Sequence, residues 1–139
     1  MVSDLPDYTK MIAVNVDISV ESPFYVIPKP MGGKIAKGNI TTTGSYQTVA
    51  ELAITTAKTF QLTKILISCD QDIMYKIRWN GTDISTEVIV PANIPFTDWF
   101  PWNYYTMLGN GTKKIDIQAK YPTDGYGGTC YAEINGEEV

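Results

Sequence analysis

The sequence predicts an all-β fold, an antiparallel β-sandwich of about eight strands. Three observations carry this expectation. Apolar and polar residues alternate with a period of two from end to end of the chain. Turn chemistry (Asn-Gly, Asp-rich and Gly/Pro clusters) recurs at the spacing of sandwiches and barrels. No segment sustains a 3.6-residue period with helix caps, so helix is expected to be minor or absent.

The elements follow in order. Ile12, Val14, Val16, Ile18 and Val20 alternate with Ala13, Asn15, Asp17 and Ser19, which predicts a strand with one buried face. Pro28, Pro30 and Gly32-Gly33 break the chain after a short run at residues 24–27. A second strand is expected over residues 46–55, with Ala50, Leu52 and Ile54 on one face. Over residues 59–69 the apolar positions run Phe60, Leu62, then Ile65, Ile67 and Cys69. That change of phase predicts a β-bulge near Thr63-Lys64. Asp70-Gln71-Asp72 turns the chain into Ile73, Tyr75, Ile77 and Trp79.

Asn80-Gly81 then marks a type I′ hairpin, because both central residues of that turn need positive φ. It leads into a strand over residues 84–90. A second Asn-Gly, at Asn110-Gly111, is also read as a hairpin turn and precedes Ile115, Ile117, Ala119 and Tyr121. Glycine-rich turn chemistry at residues 122–128 comes before a last strand with Cys130, Ala132 and Ile134 on one face, closing at Asn135-Gly136. The expected organisation is one domain. Residues 1–33 form an N-terminal arm and first strand, and residues 34–139 form the sandwich proper.

The composition fits a folded chain: of 139 residues, 44% are hydrophobic and 19% charged. The formal net charge is -4, and the only adjacent basic pair is Lys113-Lys114, so nucleic acid is not an expected partner. The longest apolar stretch, residues 11–20, contains Asn15 and Asp17 and is too short to span a bilayer, so no membrane role is expected. The first seven residues hold neither a basic nor an apolar region, and no signal peptide is expected.

Catalysis is not expected. The chain has no histidine, which removes the commonest general base and excludes Ser-His-Asp and Cys-His nucleophilic sites. Acidic residues are scattered through turns and outward-facing strand positions. Asp70 and Asp72 form a weak Ca²⁺ candidate without identifiable further ligands, and Asp in a β-turn needs no metal to explain it. The glycine clusters precede no helix and read as loops, and no cofactor is expected. Cys69 and Cys130 fit either two buried small hydrophobes or a disulfide between packed strands. Sequons at Asn39, Asn80 and Asn110 are better explained by turn geometry than by glycosylation.

The unusual feature is the segment spanning residues 94–107, in which six of fourteen residues are aromatic: Phe96, Trp99, Phe100, Trp102, Tyr104 and Tyr105. So many rings exposed together would be costly unless something covers them. Three readings are open. The segment plugs the end of the sandwich, or it forms an assembly interface, where Trp and Tyr anchors concentrate. Alternatively it is a sugar-stacking platform with Asp98 and Asn103 accepting hydroxyl bonds. Packing on one side of the loop is compatible with an interface on the other.

Residues 62–82, with their Ser68-Cys69-Asp70-Gln71-Asp72 turn and Asn80-Gly81 hairpin, resemble the central hairpin of small jelly-roll virion proteins from tailed phages and related viruses. So do residues 109–121 and the closing residues 130–138; the similarity extends over residues 45–139. The resemblance implies a jelly-roll sandwich that decorates a capsid or forms part of a tail or fibre, commonly as a trimer. It implies a location in the virion and, as partners, other copies of the chain and the major capsid or another virion protein. Residues 4–33 would then be an arm reaching a neighbouring subunit or the capsid shell, or residues 12–20 would complete the sheet of their own or another subunit. The alternative function is a carbohydrate-binding β-sandwich module, acting extracellularly or on a virion surface, with glycans as partners.

Overall fold

The computed structural model describes Gly32–Val139, and the strand expected over residues 12–20 lies outside the described residues. Ten strands follow one another: β1 (Gly32–Thr41), β2 (Gln47–Ala53), β3 (Thr59–Cys69), β4 (Ile73–Trp79), β5 (Thr82–Asp83), β6 (Val88–Val90), β7 (Phe96–Trp99), β8 (Thr106–Leu108), β9 (Lys114–Lys120) and β10 (Thr129–Glu138). They form two antiparallel sheets. In one the order is β1-β10-β3-β7, with β8 also on β3; in the other it is β2-β9-β4-β5, with β6 also on β4. The described residues thus hold ten strands rather than about eight, because the outer edges of β3 and β4 are each met by two short segments.

The fold is an all-β sandwich, and the period-two positions supply its core. Phe60, Leu62, Ile65 and Ile67 of β3 face Ile73, Tyr75 and Ile77 of β4 and Ile115, Ile117 and Ala119 of β9; Cys130, Ala132 and Ile134 of β10 complete the layer. Each fully buried Ile or Leu contributes roughly 1.5–3 kcal/mol of transfer free energy.

The phase change in β3 is a bulge at Thr63. Asn135 lies opposite Lys64 and Gly136 opposite Leu62, which leaves Thr63 without a ladder partner. The Thr63 hydroxyl donates to the Asn135 carbonyl (3.1 Å), while its own carbonyl accepts the Phe100 N–H (2.9 Å). A second bulge, between Thr48 and Ala50, turns both Val49 and Ala50 inward. Gly38 crosses β2 there so closely that a Cβ would strike the Val49 carbonyl.

Asn80 and Gly81 both have positive φ (47° and 84°), and Trp79 pairs with Thr82 across them, as a type I′ hairpin requires. Asn110 departs from that expectation. Its side-chain oxygen accepts the N–H groups of Thr112 and Lys113 and the Thr112 hydroxyl, and the loop joins β8 and β9, which belong to different sheets.

Three further expectations change. The sequence reading assigns no strand between Pro30 and Tyr46, yet β1 occupies Gly32–Thr41, two residues ahead of the expected sandwich boundary. Gly32, Gly33 and Gly38 mask its alternation. The strand expected over residues 84–90 is interrupted because the Ser85 hydroxyl takes the Ile77 N–H (2.8 Å) that a strand carbonyl would otherwise accept. β10 does not close at Asn135-Gly136 but runs on to Glu138.

Candidate functional site

The aromatic segment is built on the edge of β3. β7 pairs residue by residue with it, Phe96 opposite Ile67 and Trp99 opposite Lys64. At the Thr63 bulge the ladder can go no further, and the chain leaves the sheet after Trp99. A β-turn follows, closed by the Tyr104 N–H donating to the Pro101 carbonyl (3.0 Å), with Asn103 at φ 66°. The turn is pinned from beneath by the buried Gln61, whose side-chain oxygen accepts the Asn103 N–H (3.0 Å) and the Thr106 hydroxyl (3.1 Å). The Leu62 N–H donates to the Tyr105 carbonyl (3.1 Å), and the chain rejoins β3 as β8.

This path divides the six rings. Phe96, Phe100 and Tyr105 turn inward onto the core, together with the buried Met107. Phe96 lies 5.9 Å from Tyr75 and Phe100 meets Tyr105 edge-on at 5.1 Å. The Tyr105 hydroxyl donates to the Ile84 carbonyl (3.1 Å); burial, followed by Tyr104 and Asp98, raises its pKa. Trp99, Trp102 and Tyr104 turn outward and are 68%, 50% and 63% exposed. The inward half is therefore a plug between the sheets, and the outward half is surface.

Trp99 stands on the outer face of the first sheet, with the Lys64 ammonium 4.9 Å from its ring centroid. Strand register puts Ile35, Asn135, Lys64 and Trp99 in one row across that face. A groove of about 360 Å³ runs along this row, with the exposed Ile35 and Trp99 among its walls.

A second concavity, of about 420 Å³, opens between the two sheets where β4 and β6 face β7. Tyr75, Ile77 and Val88 line it, together with Trp99, Phe100, Tyr104 and Tyr105. Asp98 also lines it: it lies opposite Ile65, on the inward-facing side of β7.

Compared with known families and with curated proteins, the chain matches no family model and no curated sequence.

The remaining sequence candidates have structural occupations. Asp70 accepts the Thr129 N–H (2.8 Å) and Asp72 the Ala92 N–H (2.8 Å), so each turn carboxylate ties down a different connection. Among the described residues no three Asp, Glu or Cys side chains gather as metal ligands would. Cys69 and Cys130 are directly opposed on β3 and β10, both buried and both free thiols. Sequence reasoning missed Gln61 and Lys64. Alternation alone places both on the outer side of β3, but the groups that meet them lie far downstream, with no local signal.

Proposed function

We propose that this chain is a non-enzymatic virion structural protein of the head-decoration or auxiliary-capsid type. It works by assembling with copies of itself, as a trimer, and by binding the major capsid or another virion protein. The strand order supports a jelly roll. With β5/β6 and β7/β8 each taken as one broken edge, successive strands alternate between the sheets except from β4 to the β5/β6 edge, and the last strand lies beside the first.

The observation that carries the assembly reading is the set of three outward rings, Trp99, Trp102 and Tyr104, within six residues of a loop held rigid by Gln61. Large apolar side chains fixed in advance at a surface lose little entropy on contact and anchor the centres of protein interfaces. The exposed Ile35 and the groove beside Trp99 extend this surface across the first sheet. On a capsid lattice, many such contacts add through avidity.

Light scattering coupled to size exclusion tests the reading. The expected mass is three times the 15.4 kDa chain. A chain that stays monomeric at every concentration tried contradicts it.

A further inference from the structure

We propose that the cleft between the sheets at the aromatic loop is a glycan site that accepts one pyranose unit, sharing Trp99 and Tyr104 at its rim with the proposed assembly surface. Its volume, about 420 Å³, is in the range of small-ligand sites. Its lining combines flat rings with separated polar groups. Tyr104 and Trp99 are exposed at the rim, while Phe100, Tyr105 and Tyr75 form the apolar interior.

The polar groups stand on two sides. On the β7 side, Asp98 has no hydrogen-bond or ion-pair partner among the described residues; it lies near Tyr75 and Tyr105, whose hydroxyl pKa values are raised first by burial and further by the Asp98 charge. On the side of the β5–β6 connection stands Thr86, whose hydroxyl likewise has no partner among the described residues. Its neighbour Ser85 is already committed, accepting from Ile77 and donating to the Thr86 carbonyl. A pyranose meets these demands together. Its C–H face covers an aromatic ring, and its rim carries hydroxyls that donate to a carboxylate on one side and exchange bonds with Thr86 on the other.

The platform is in place before any ligand arrives. Tyr104 packs edge-on against Tyr105 at 4.7 Å, and the Ile84 carbonyl fixes Tyr105 in turn. Such preorganisation lowers the entropic cost of binding. Trp102 does not line the cleft, so its substitution removes an assembly ring without removing a group that touches the sugar.

Affinity electrophoresis of the full chain through gels containing the uncharged polysaccharides dextran, galactomannan, arabinoxylan or β-glucan tests the site. At least one gel should retard the wild type. Asp98→Asn and Thr86→Ala should each bind about tenfold more weakly, and Trp102→Ala should bind as the wild type does. Thr86 is exposed, so its variant reports on the site even if Asp98→Asn alters folding. The proposal is overturned if no gel retards the protein, if Asp98→Asn and Thr86→Ala both bind with wild-type strength, or if choline displaces the polysaccharide while a neutral monosaccharide does not.

Discussion

The side-chain oxygen of Gln61 accepts the backbone N–H of Asn103 at 3.0 Å, across a sequence separation of 42 residues. The same oxygen takes the Thr106 hydroxyl. One buried amide therefore holds both the tip of the aromatic turn and its return to the sheet. Gln61→Leu keeps the volume but removes the acceptor of the Asn103 N–H and the Thr106 hydroxyl, at a cost of about 0.5–1.5 kcal/mol. The variant should have a lower urea midpoint, and chymotrypsin should cut it earlier at residues 99–105. An unchanged midpoint and digestion pattern would mean that the loop is held by its inward rings alone.

Gly38 and Gly136 lie where backbone or ring comes too close for a Cβ. Added there, it would meet the Val49 carbonyl in the first case and the Phe60 ring and Gln61 carbonyl in the second. Neither has positive φ, so the constraint is space rather than backbone conformation. Gly38→Ala should destabilise by roughly 1–3 kcal/mol, the usual cost of overpacking. Gly33→Ala, which meets nothing nearby, should be close to neutral in the same thermal melts.

Burial on its own would raise the Glu138 pKa, but the Thr55 N–H and hydroxyl and the Lys34 ammonium outweigh it and hold the carboxyl below its ordinary value. A lowered folded-state pKa gives stability that is complete above the unfolded glutamate value, about 4.3. It is lost as pH falls through the folded value. Thr55→Val should therefore lower the urea midpoint at pH 7, and the gap from wild type should narrow as pH drops below about 4. A gap that stays constant with pH would show that the bond is not linked to ionisation of Glu138.

Burial also pushes up both cysteines, Cys130 to about 12, with the neighbouring Cys69 thiol adding to the effect. The thiolate is the reactive form, so both should resist iodoacetamide in the folded protein at pH 8 and react fully in urea. The sign for stability is the reverse of the glutamate case. The contribution of the neutral thiols is complete below the unfolded value, about 8.5, and declines as pH rises towards the folded one. Rapid alkylation of either cysteine in native buffer would contradict their buried, opposed placement.

Much of the sandwich was legible because alternation is a local signal. Ile73, Tyr75 and Ile77, or Ile115, Ile117 and Ala119, declare their buried face without reference to any partner. The change of phase between Leu62 and Ile65 even located the bulge at Thr63. β1 was not legible, since its glycines remove the side chains that would show a period. The candidate site was half legible. Composition marked out residues 94–107, but which rings turn inward depends on the bulge that ends the β3–β7 ladder and on Gln61. Both are contacts between segments distant in the chain.

On the proposed reading, the two sides of one loop differ in function, with Phe100 and Tyr105 holding the fold and Trp99 and Trp102 meeting other copies. Paired alanine variants, each read by light scattering and by thermal melting, test it most directly. Phe100→Ala with Tyr105→Ala should lower the melting midpoint, since both rings are partly buried against the core and their joint loss should cost about 2–4 kcal/mol. Trp99→Ala with Trp102→Ala should leave a folded monomer whose intrinsic fold is intact by circular dichroism. If the tryptophan pair instead keeps the wild-type mass, the outward rings are not the assembly surface and the proposed function is contradicted.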